Sequence, residues 1–404
     1  MPKQNVPALR LEGFSGEWGT TIVSAVADVV GGGTPSTSNP SLWDGDIDWY
    51  SPNEVGSDVV AKPSNRRITV EGLRASSAQL LPAHRTILYT SRASIGHTAI
   101  LKHPATTNQG FQSLVLRDGM DTYFMYSLTP LITRKALKIS SGSTFLEISA
   151  KALGTIEIPV PPTLEEQQAI GAIFTNLDAA INQHTLKHKA LQQAKTALMQ
   201  RMFPQEGQTV PELRLEGFDG EWDVVKVGAI ADSFSGGTPT VGTNAFYGGD
   251  IPFIRSSEIS SSFTELTLTE AGLHFSSAKM VQPGWVLYAL YGATAGEVSL
   301  AKIEGAINQA ILALIPRDGF NAAYLVAWLR MNKKNITDTY LQGGQGNLSG
   351  ALVKNLEVFI PPTLEEQQAI GAIFTKLDQL IAAEAQYIES FKQAKTALLQ
   401  RMFI

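Results

Sequence analysis

Residues 161–175 read PPTLEEQQAIGAIFT, and residues 361–375 repeat them letter for letter. The match resumes at 193–203 (QAKTALMQRMF) against 393–403 (QAKTALLQRMF), where only Met199 and Leu399 differ. Both matches lie 200 residues apart, and between them 182–192 and 382–392 agree at no position. Self-similarity on this scale restricts the chain to architectures built twice from one plan.

The repeated stretch has a local physical reading. Pro161-Pro162 cannot continue a helix and stops whatever precedes it. Thr163 stands three residues before Glu166, the spacing of a capping box that satisfies the first free amides of a helix. Apolar residues then follow a helical period with a seven-residue stripe, which predicts a coiled-coil seam. In the first copy the seam is Ile170, Phe174, Leu177, Ile181, His184, Leu191 and Leu198. In the second it is Ile370, Phe374, Leu377, Ile381, Glu384, Phe391 and Leu398. Neither copy holds an internal proline, and each helix would run roughly 60 Å. Two amphipathic helices could each pack on their own domain. Their near-identity favours packing on each other across a pseudo-dyad, with His184 and Glu384 meeting near the middle and fixing register.

The 404 residues are 44% hydrophobic and 17% charged, an ordinary globular composition with room for two domains or more. There is no cysteine, which removes disulfides, thiol nucleophiles and thiolate metal sites. MPKQNVPALR lacks the apolar core of a signal peptide, and no apolar run is long enough to span a bilayer, so the expectation is cytoplasmic with no membrane partner. The net charge of −5 weakly opposes nucleic-acid binding but says little about one face of a large protein.

The remainder of the chain is also doubled. PALRLEGFSGEW (7–18) recurs as PELRLEGFDGEW (211–222), and Gly32-Gly33-Thr34-Pro35 as Gly236-Gly237-Thr238-Pro239, at an offset of 204. Asn108-Gln109 recurs as Asn308-Gln309 and Arg117-Asp118-Gly119 as Arg317-Asp318-Gly319, at an offset of 200. The first copy therefore carries four extra residues between Glu54 and Gly72, around Ala61–Arg67. Short β-rich runs (86–90, 114–116, 156–160, 285–290, 356–360) alternate with Gly, Pro, Ser and Asn clusters, which predicts a mixed sheet. One helix per domain is expected, near 122–137 and 322–333, with Asp121 and Asn321 as caps. The fold class is α+β. Two similar recognition domains (1–160 and 205–360) alternate with two long helices (161–204 and 361–404) that pair as an antiparallel coiled coil. Joining Ile404 to Met1 would make the pattern cyclic, so the chain has the form of a fused homodimer, and DNA-binding dimers read two half-sites in such an arrangement.

These motifs resemble the specificity subunits of type I restriction–modification enzymes, and the resemblance covers nearly the whole chain. PPTLEEQQAIGAIF is the most specific element. The GGTP turns, TSRASIG (90–96), Asn108-Gln109, SGSTFLEI (141–148) and GGQGNLS (343–349) support it. The second domain departs at the TSRASIG position, where it reads LYGATAG (290–296). The resemblance implies that each domain reads one half of a bipartite site on double-stranded DNA. It also implies that the helices space the domains and dock methyltransferase subunits, expected to number two, with restriction/translocase subunits joining through the complex.

Enzymatic alternatives find little in the residues. A methyltransferase acting on amino groups would resemble its family through Asp/Asn-Pro-Pro-aromatic, whereas Pro161-Pro162 follows Val160 and Pro361-Pro362 follows Ile360. GQGNLSG (344–350) spaces its last glycine one residue too far for GxGxxG and is expected to be a loop preceding a strand. No lysine has an acid two residues before it, as a common Mg²⁺ nuclease would require. His103, His184 and His188 are too scattered for a metal cluster. No catalytic residue, cofactor or metal is expected.

DNA contact has more support. Residues 57–103 hold Lys62, Arg66, Arg67, Arg74, Arg85, Arg92 and Lys102 against Asp58 and Glu71, a net of +5. The aligned span 257–303 has a net of −2. Arginine forks to guanine or clamps phosphate, so Lys62, Arg66, Arg67, Arg74 and Arg92 are candidates in the first domain. A solvated basic face is the competing explanation. In the second domain the candidates are Arg255, Ser256, Lys279 and Tyr291, with core packing an equal alternative for Tyr291. Three functions compete: a non-catalytic DNA-reading subunit, a self-sufficient DNA-modifying enzyme, and a coiled-coil scaffold that binds only proteins. Adenosylmethionine binding by the isolated chain and duplex binding would separate them.

Overall fold

A computed structural model describes residues 6–141, 146–205, 207–341 and 347–403. The chain divides into two compact units, Met1–Thr185 with Gln386–Ile404, and Leu186–Ala385. Each unit therefore contains a domain, the first part of the helix that follows it, and the last part of the other helix. The long helices span Leu164–Arg201 and Leu364–Met402.

In the first unit an antiparallel four-stranded sheet has the order Ala27–Gly31, Gln112–Leu116, Thr86–Tyr89, Thr98–Ile100. Its two central strands are buried on both faces, which explains their continuous apolar and small-polar character. One face packs on the helix Thr122–Ile139, whose buried residues include Phe124, Met125, Leu128 and Ile132. The other face covers a smaller core that includes Leu88, Leu101 and Phe111. A three-stranded sheet follows, in the order Arg66–Ile68, Trp43–Tyr50, Thr106–Thr107. Trp43 and Ile47 both oppose Ile68, so the long strand is bulged. A short ribbon, Gly19–Ile22 with Glu157–Val160, closes the domain just before the long helix.

The second unit repeats the plan. Its main sheet has the order Ala231–Ser235, Ile311–Pro316, Val286–Ala289, Val298–Leu300. The smaller sheet gains a strand, Lys279–Val281, beside Gly305–Ile307. The bulge recurs, with Tyr247 and Ile251 both opposing Leu268.

The repeated letters are the frame of each unit. Glu166 is 1% exposed and accepts from Arg10 Nε (2.8 Å), Arg10 Nη2 (2.7 Å) and Trp18 Nε1 (3.1 Å). Glu366 takes Arg214 in the same way, at 2.9 and 2.8 Å. Gln167 Oε1 accepts from the Asp121 amide at 3.1 Å, and Gln367 from the Asn321 amide at 3.0 Å. The repeated Gln thus anchors the turn after Arg-Asp-Gly in each domain. Gly171 is required by close approach: a Cβ there would stand 2.4 Å from Asp121 Oδ1, the cap of the domain helix, and Gly371 faces Asn321 similarly at 2.8 Å. At the other end, the Leu9 amide donates to the Arg401 carbonyl and the Leu213 amide to the Arg201 carbonyl, both at 2.8 Å. The LRLEGF motif therefore satisfies a carbonyl that a helix C-terminus leaves free.

Within each unit the two helix segments run antiparallel. In the first, Lys395 Nζ reaches Asp178 at 2.6 Å and Phe403 stacks on Phe174 at 5.9 Å. In the second, Lys195 pairs with Asp378, and Phe203 stacks on Phe374 at 5.8 Å. The start of each long helix also packs on its own domain, since Ile170 and Phe174 join the core of Phe124 and Leu128, and Ile370 and Phe374 that of Tyr324 and Leu325. The two kinds of packing share the same residues, and near-identity does not separate them.

Several expectations need correction. The capping box is half formed: Thr163 Oγ1 accepts from the Glu166 amide at 3.2 Å, but the Glu166 carboxylate turns to Arg10 instead of back to the cap. Each domain has one long helix, capped by Asp121 (2.8 Å) or Asn321 (2.9 Å), and several short ones as well. Four- and five-residue helices such as Val23–Val26 and Val70–Arg74 are too short to show a period. GQGNLSG does not lead straight into a strand, because Ser349 caps a helix, Gly350–Asn355, before Glu357–Ile360 begins. Residues 142–145 of SGSTFLEI and 343–346 of GGQGNLS lie outside the described residues. No helix among those described is long and apolar enough to cross a membrane.

Candidate nucleic-acid interface

The basic insertion of the first domain forms one edge of a sheet. Arg66–Ile68 is the outer strand, paired on one side only with Trp43–Tyr50. Edge strands need charge to avoid pairing with other chains, so exposed arginines suit the place on structural grounds as well. The insertion is pinned from beneath. Tyr50 Oη donates to the Lys62 carbonyl at 2.6 Å, and the Asn65 amide donates to Glu54 Oε1 at 2.6 Å. Burial, with the charges of Asp48 and Glu54 nearby, pushes the Tyr50 hydroxyl up to about 12, so it stays a neutral donor.

The candidate side chains differ in freedom. Arg66 lies over Trp43, its Cζ 3.6 Å from the ring centroid, with Trp49 at 5.5 Å. Stacking on a ring leaves the guanidinium edge available for a ligand. Arg67 Nε donates to Asp48 Oδ1 at 3.1 Å. Lys62 pairs with Asp58 at 2.8 Å, where hydrogen bonds from Lys62 and Ser57 hold the carboxyl below its usual range. Arg74 is exposed at the end of the helix Val70–Arg74. Arg92 is half-buried on a different element, the turn after Thr86–Tyr89, where its backbone bridges Glu147. The structure thus gathers Lys62, Arg66, Arg67 and Arg74 around one small sheet and sets Arg92 on the other.

The second domain presents a different surface on the same frame. Where the first has Trp43 and Arg66, it has Tyr247 and Leu266. Arg255 is fixed by Glu258 (3.0 Å) and Glu265 (2.5 Å), whose hydrogen bonds raise its already high pKa. Burial works against the Glu258 carboxylate, but Arg255 and two backbone amides outweigh it and lower the pKa. Ser256 is half-buried and opens the turn Ser256–Glu258. Lys279 Nζ lies 5.3 Å from the Phe234 ring centroid. Tyr291 packs against the main core and its backbone bridges Asn347.

The seam residues are distributed between the units. Ile170, Phe174, Leu177 and Leu398 pack in the first core, and Ile370, Phe374, Leu377 and Leu198 in the second. Ile181, Leu191 and Ile381 are half-buried. In the first unit His184 lies against Tyr387 (5.2 Å) and Phe391 (5.5 Å). In the second, Glu384 is 3% exposed and accepts from Lys187 at 2.7 Å.

Sequence reasoning missed Trp43 as the platform for Arg66. The signal was available in principle, since Trp43 and Trp49 precede the basic run, but pairing them with Arg66 requires the bulged register. It also missed the exposed aromatics of the second domain, Phe263 and Phe275, at 75% and 72%. Phe263 stands among polar neighbours in the sequence, and Phe275 stacks on Phe246 at 6.4 Å, 29 positions away, so neither leaves a periodic trace. Among the described residues no group of three or more His, Asp or Glu is placed to hold a metal ion.

A family model described as type I restriction modification DNA specificity domain matches residues 16–192 and again 219–393. Over 250 residues the chain is 32% identical to the type I restriction enzyme MjaIX specificity subunit of Methanocaldococcus jannaschii, covering 59% of this chain and 57% of that protein. It is 33% identical over 178 residues to the EcoR124I/EcoR124II specificity subunit of Escherichia coli, covering 42% of each. The matches thus span about half the length of these relatives. The fold is similar to the crystal structure of a type I restriction–modification S subunit from M. genitalium, with a TM-score of 0.71, 16% identity and 99% of each chain covered. Matched by the family model in both halves, the chain belongs to the family of type I restriction–modification DNA specificity domain proteins.

Proposed function

We propose that the chain is the DNA-reading subunit of a type I restriction–modification complex. Each unit reads one half of an asymmetric, two-part target on double-stranded DNA. The observation that carries this reading is the contrast between frame and surface. Arg10–Glu166 and Arg214–Glu366 are the same clasp in both units. The exposed edges differ, with Arg66 stacked on Trp43 in one domain and Leu266 with Tyr247 in the other. Two unlike surfaces on one doubled scaffold suit a target whose halves differ. The chain itself does no chemistry in this reading and directs methylation and restriction by partner subunits, in the cytoplasm where the DNA lies.

Two methyltransferase subunits fit the same logic. Gln193, Ala197 and Gln200 are exposed, identical to Gln393, Ala397 and Gln400, and those are exposed too. Identity at exposed positions is not demanded by packing, and two equal partners docking at two equal places would demand it. Restriction/translocase subunits join through that complex.

The test is the double variant Arg66→Ala/Arg67→Ala in duplex-binding assays. A guanine fork predicts a loss of discrimination at one half-site of about 1–3 kcal/mol. Phosphate contact alone predicts an even loss of affinity and a shallower salt dependence. Unchanged binding and unchanged salt slope would return the cluster to a solvated sheet edge.

A further inference from the structure

The second unit contains a well of about 850 Å³ where the domain meets the helix segments. Its wall includes Val298 and Leu300 of the main sheet, Ala323, Val326 and Ala327 of the domain helix, and Phe374 of the long helix. The first unit shows why the well exists. At the positions of Ala323 and Val326 it carries Tyr123 and Tyr126. Tyr123 Oη donates to Asp178 Oδ2 at 2.8 Å, and Tyr126 reaches Thr98, the counterpart of Val298. The longer segment between Glu54 and Gly72 of the first domain also reaches there, with Val60 bridging Ile100, the counterpart of Leu300. The second unit lacks both fillers.

The charge around the well has changed with its volume. In the first unit Asp178 meets a lysine and a phenol, Lys395 and Tyr123. In the second, Asp378 is shared by two cations, Lys195 and Arg330. Arg330 stands where the first unit has Pro130, and its Nε is held by the Val298 carbonyl at 3.0 Å. Glu297 is already paired with Lys333. Lys302 adds a third cation to the lining, against two carboxylates, and Ser256, Ser257 and Thr294 supply hydroxyls. The volume falls in the range of small-ligand sites, and polar and charged side chains alternate with apolar ones around the wall, which suits a ligand that carries charge.

We propose that this well binds a small organic anion of nucleotide size. An apolar body lies against Leu300, Ala323 and Met199, the partly exposed apolar residues of the lining, and one phosphate or carboxylate is held by Arg330 and Lys195. The site belongs to the second unit alone, and the inference does not depend on the DNA-reading function.

The experiment is calorimetric titration of the full chain with adenosine 5′-monophosphate, adenosine and inorganic phosphate. The nucleotide is expected to bind one-to-one, with adenosine and phosphate each weaker by about tenfold or more, or about 1.4 kcal/mol. The variant Ala323→Tyr/Val326→Tyr fills the well with the residues the first unit already accommodates and is expected to abolish binding. Arg330→Gln leaves Asp378 its lysine and is expected to weaken the nucleotide but not adenosine. Circular dichroism and thermal unfolding report that each variant is folded. No heat from the nucleotide at millimolar concentration would overturn the proposal. So would undiminished binding by a folded, filled variant, or equal binding of phosphate and nucleotide, which would mean surface cations only.

Discussion

Replacing Glu166 by Ala tests whether the repeated glutamate clasps each domain to its helix. The carboxylate is 1% exposed and accepts three hydrogen bonds, two from Arg10 and one from Trp18. Removing one partner of a buried ion pair costs about 3–5 kcal/mol, because the other charge is left uncompensated. Arg10 keeps bonds to the Ser15 and Gly16 carbonyls, so the lower end applies, about 3 kcal/mol. With a urea m-value of about 2–3 kcal/mol per molar, the midpoint of the first unit should fall by about 1–1.5 M. The second unit is the internal control. Trp222 Nε1 has no hydrogen-bond partner among the described residues, so Glu366→Ala removes one bond fewer and should cost about 1 kcal/mol less. Hydrogen exchange across a urea series, resolved to peptides of each unit, assigns the loss. Arg10→Met/Glu166→Met should return to within about 1 kcal/mol of the parent, since an apolar pair leaves no buried charge. An unmoved first-unit midpoint in Glu166→Ala, or a Met pair as damaging as the single change, would refute the clasp.

Gly171→Val would drive a side chain into Asp121 Oδ1, the cap of the domain helix, and should destabilise the first unit by about 2 kcal/mol or more in the same urea series. Acid should free Arg255. The Glu258 carboxyl sits below its usual range, so its contribution is fully present above that range and disappears as pH falls through the depressed value. Carboxyl chemical shifts followed from pH 6 to about pH 2 should show Glu258 titrating below the exposed glutamates, and an unshifted curve would contradict the pairing. Four residues added to each long helix within 182–192 and 382–392 lengthen it by roughly 6 Å and nearly keep its phase. If the helices set the gap between half-sites, the preferred gap should grow by roughly one to two base pairs, at about 3.4 Å each. Duplexes with stepped gaps would measure it, and an unchanged preference in a folded variant would deny the helices that role.

The sequence made the frame legible because the frame is what it repeats. The helix starts and the antiparallel course of the helices follow from letters present twice, and Asp121 and Asn321 are two different letters suited to one capping role. The domain docking was hidden in the same letters. Glu166 looked like a capping residue because its buried partner, Arg10, lies 156 positions away. Gln167 and Gly171 show their purpose only once the Asp121 turn is folded against them. The short helices left no period to find. At the candidate interface, the composition of the insertion pointed to Lys62, Arg66, Arg67 and Arg74. It could not separate Arg66, held on a ring, from Arg67, held by an acid, since that depends on the bulge at Trp43–Ile47.

The clasp has a consequence for how such a chain can change. Glu166, Gln167 and Gly171 take one domain by Arg10, the Asp121 turn and its cap, and Glu366, Gln367 and Gly371 take the other by equivalent groups. The socket is therefore the same at both positions, and none of its contacts involves the variable loop edges. The arginine, the Arg-Asp-Gly turn and an apolar surface for Ile170 and Phe174, or for Ile370 and Phe374, are what each domain presents to its helix. The loop edges of either domain can then change without altering the clasp that holds that domain to its helix.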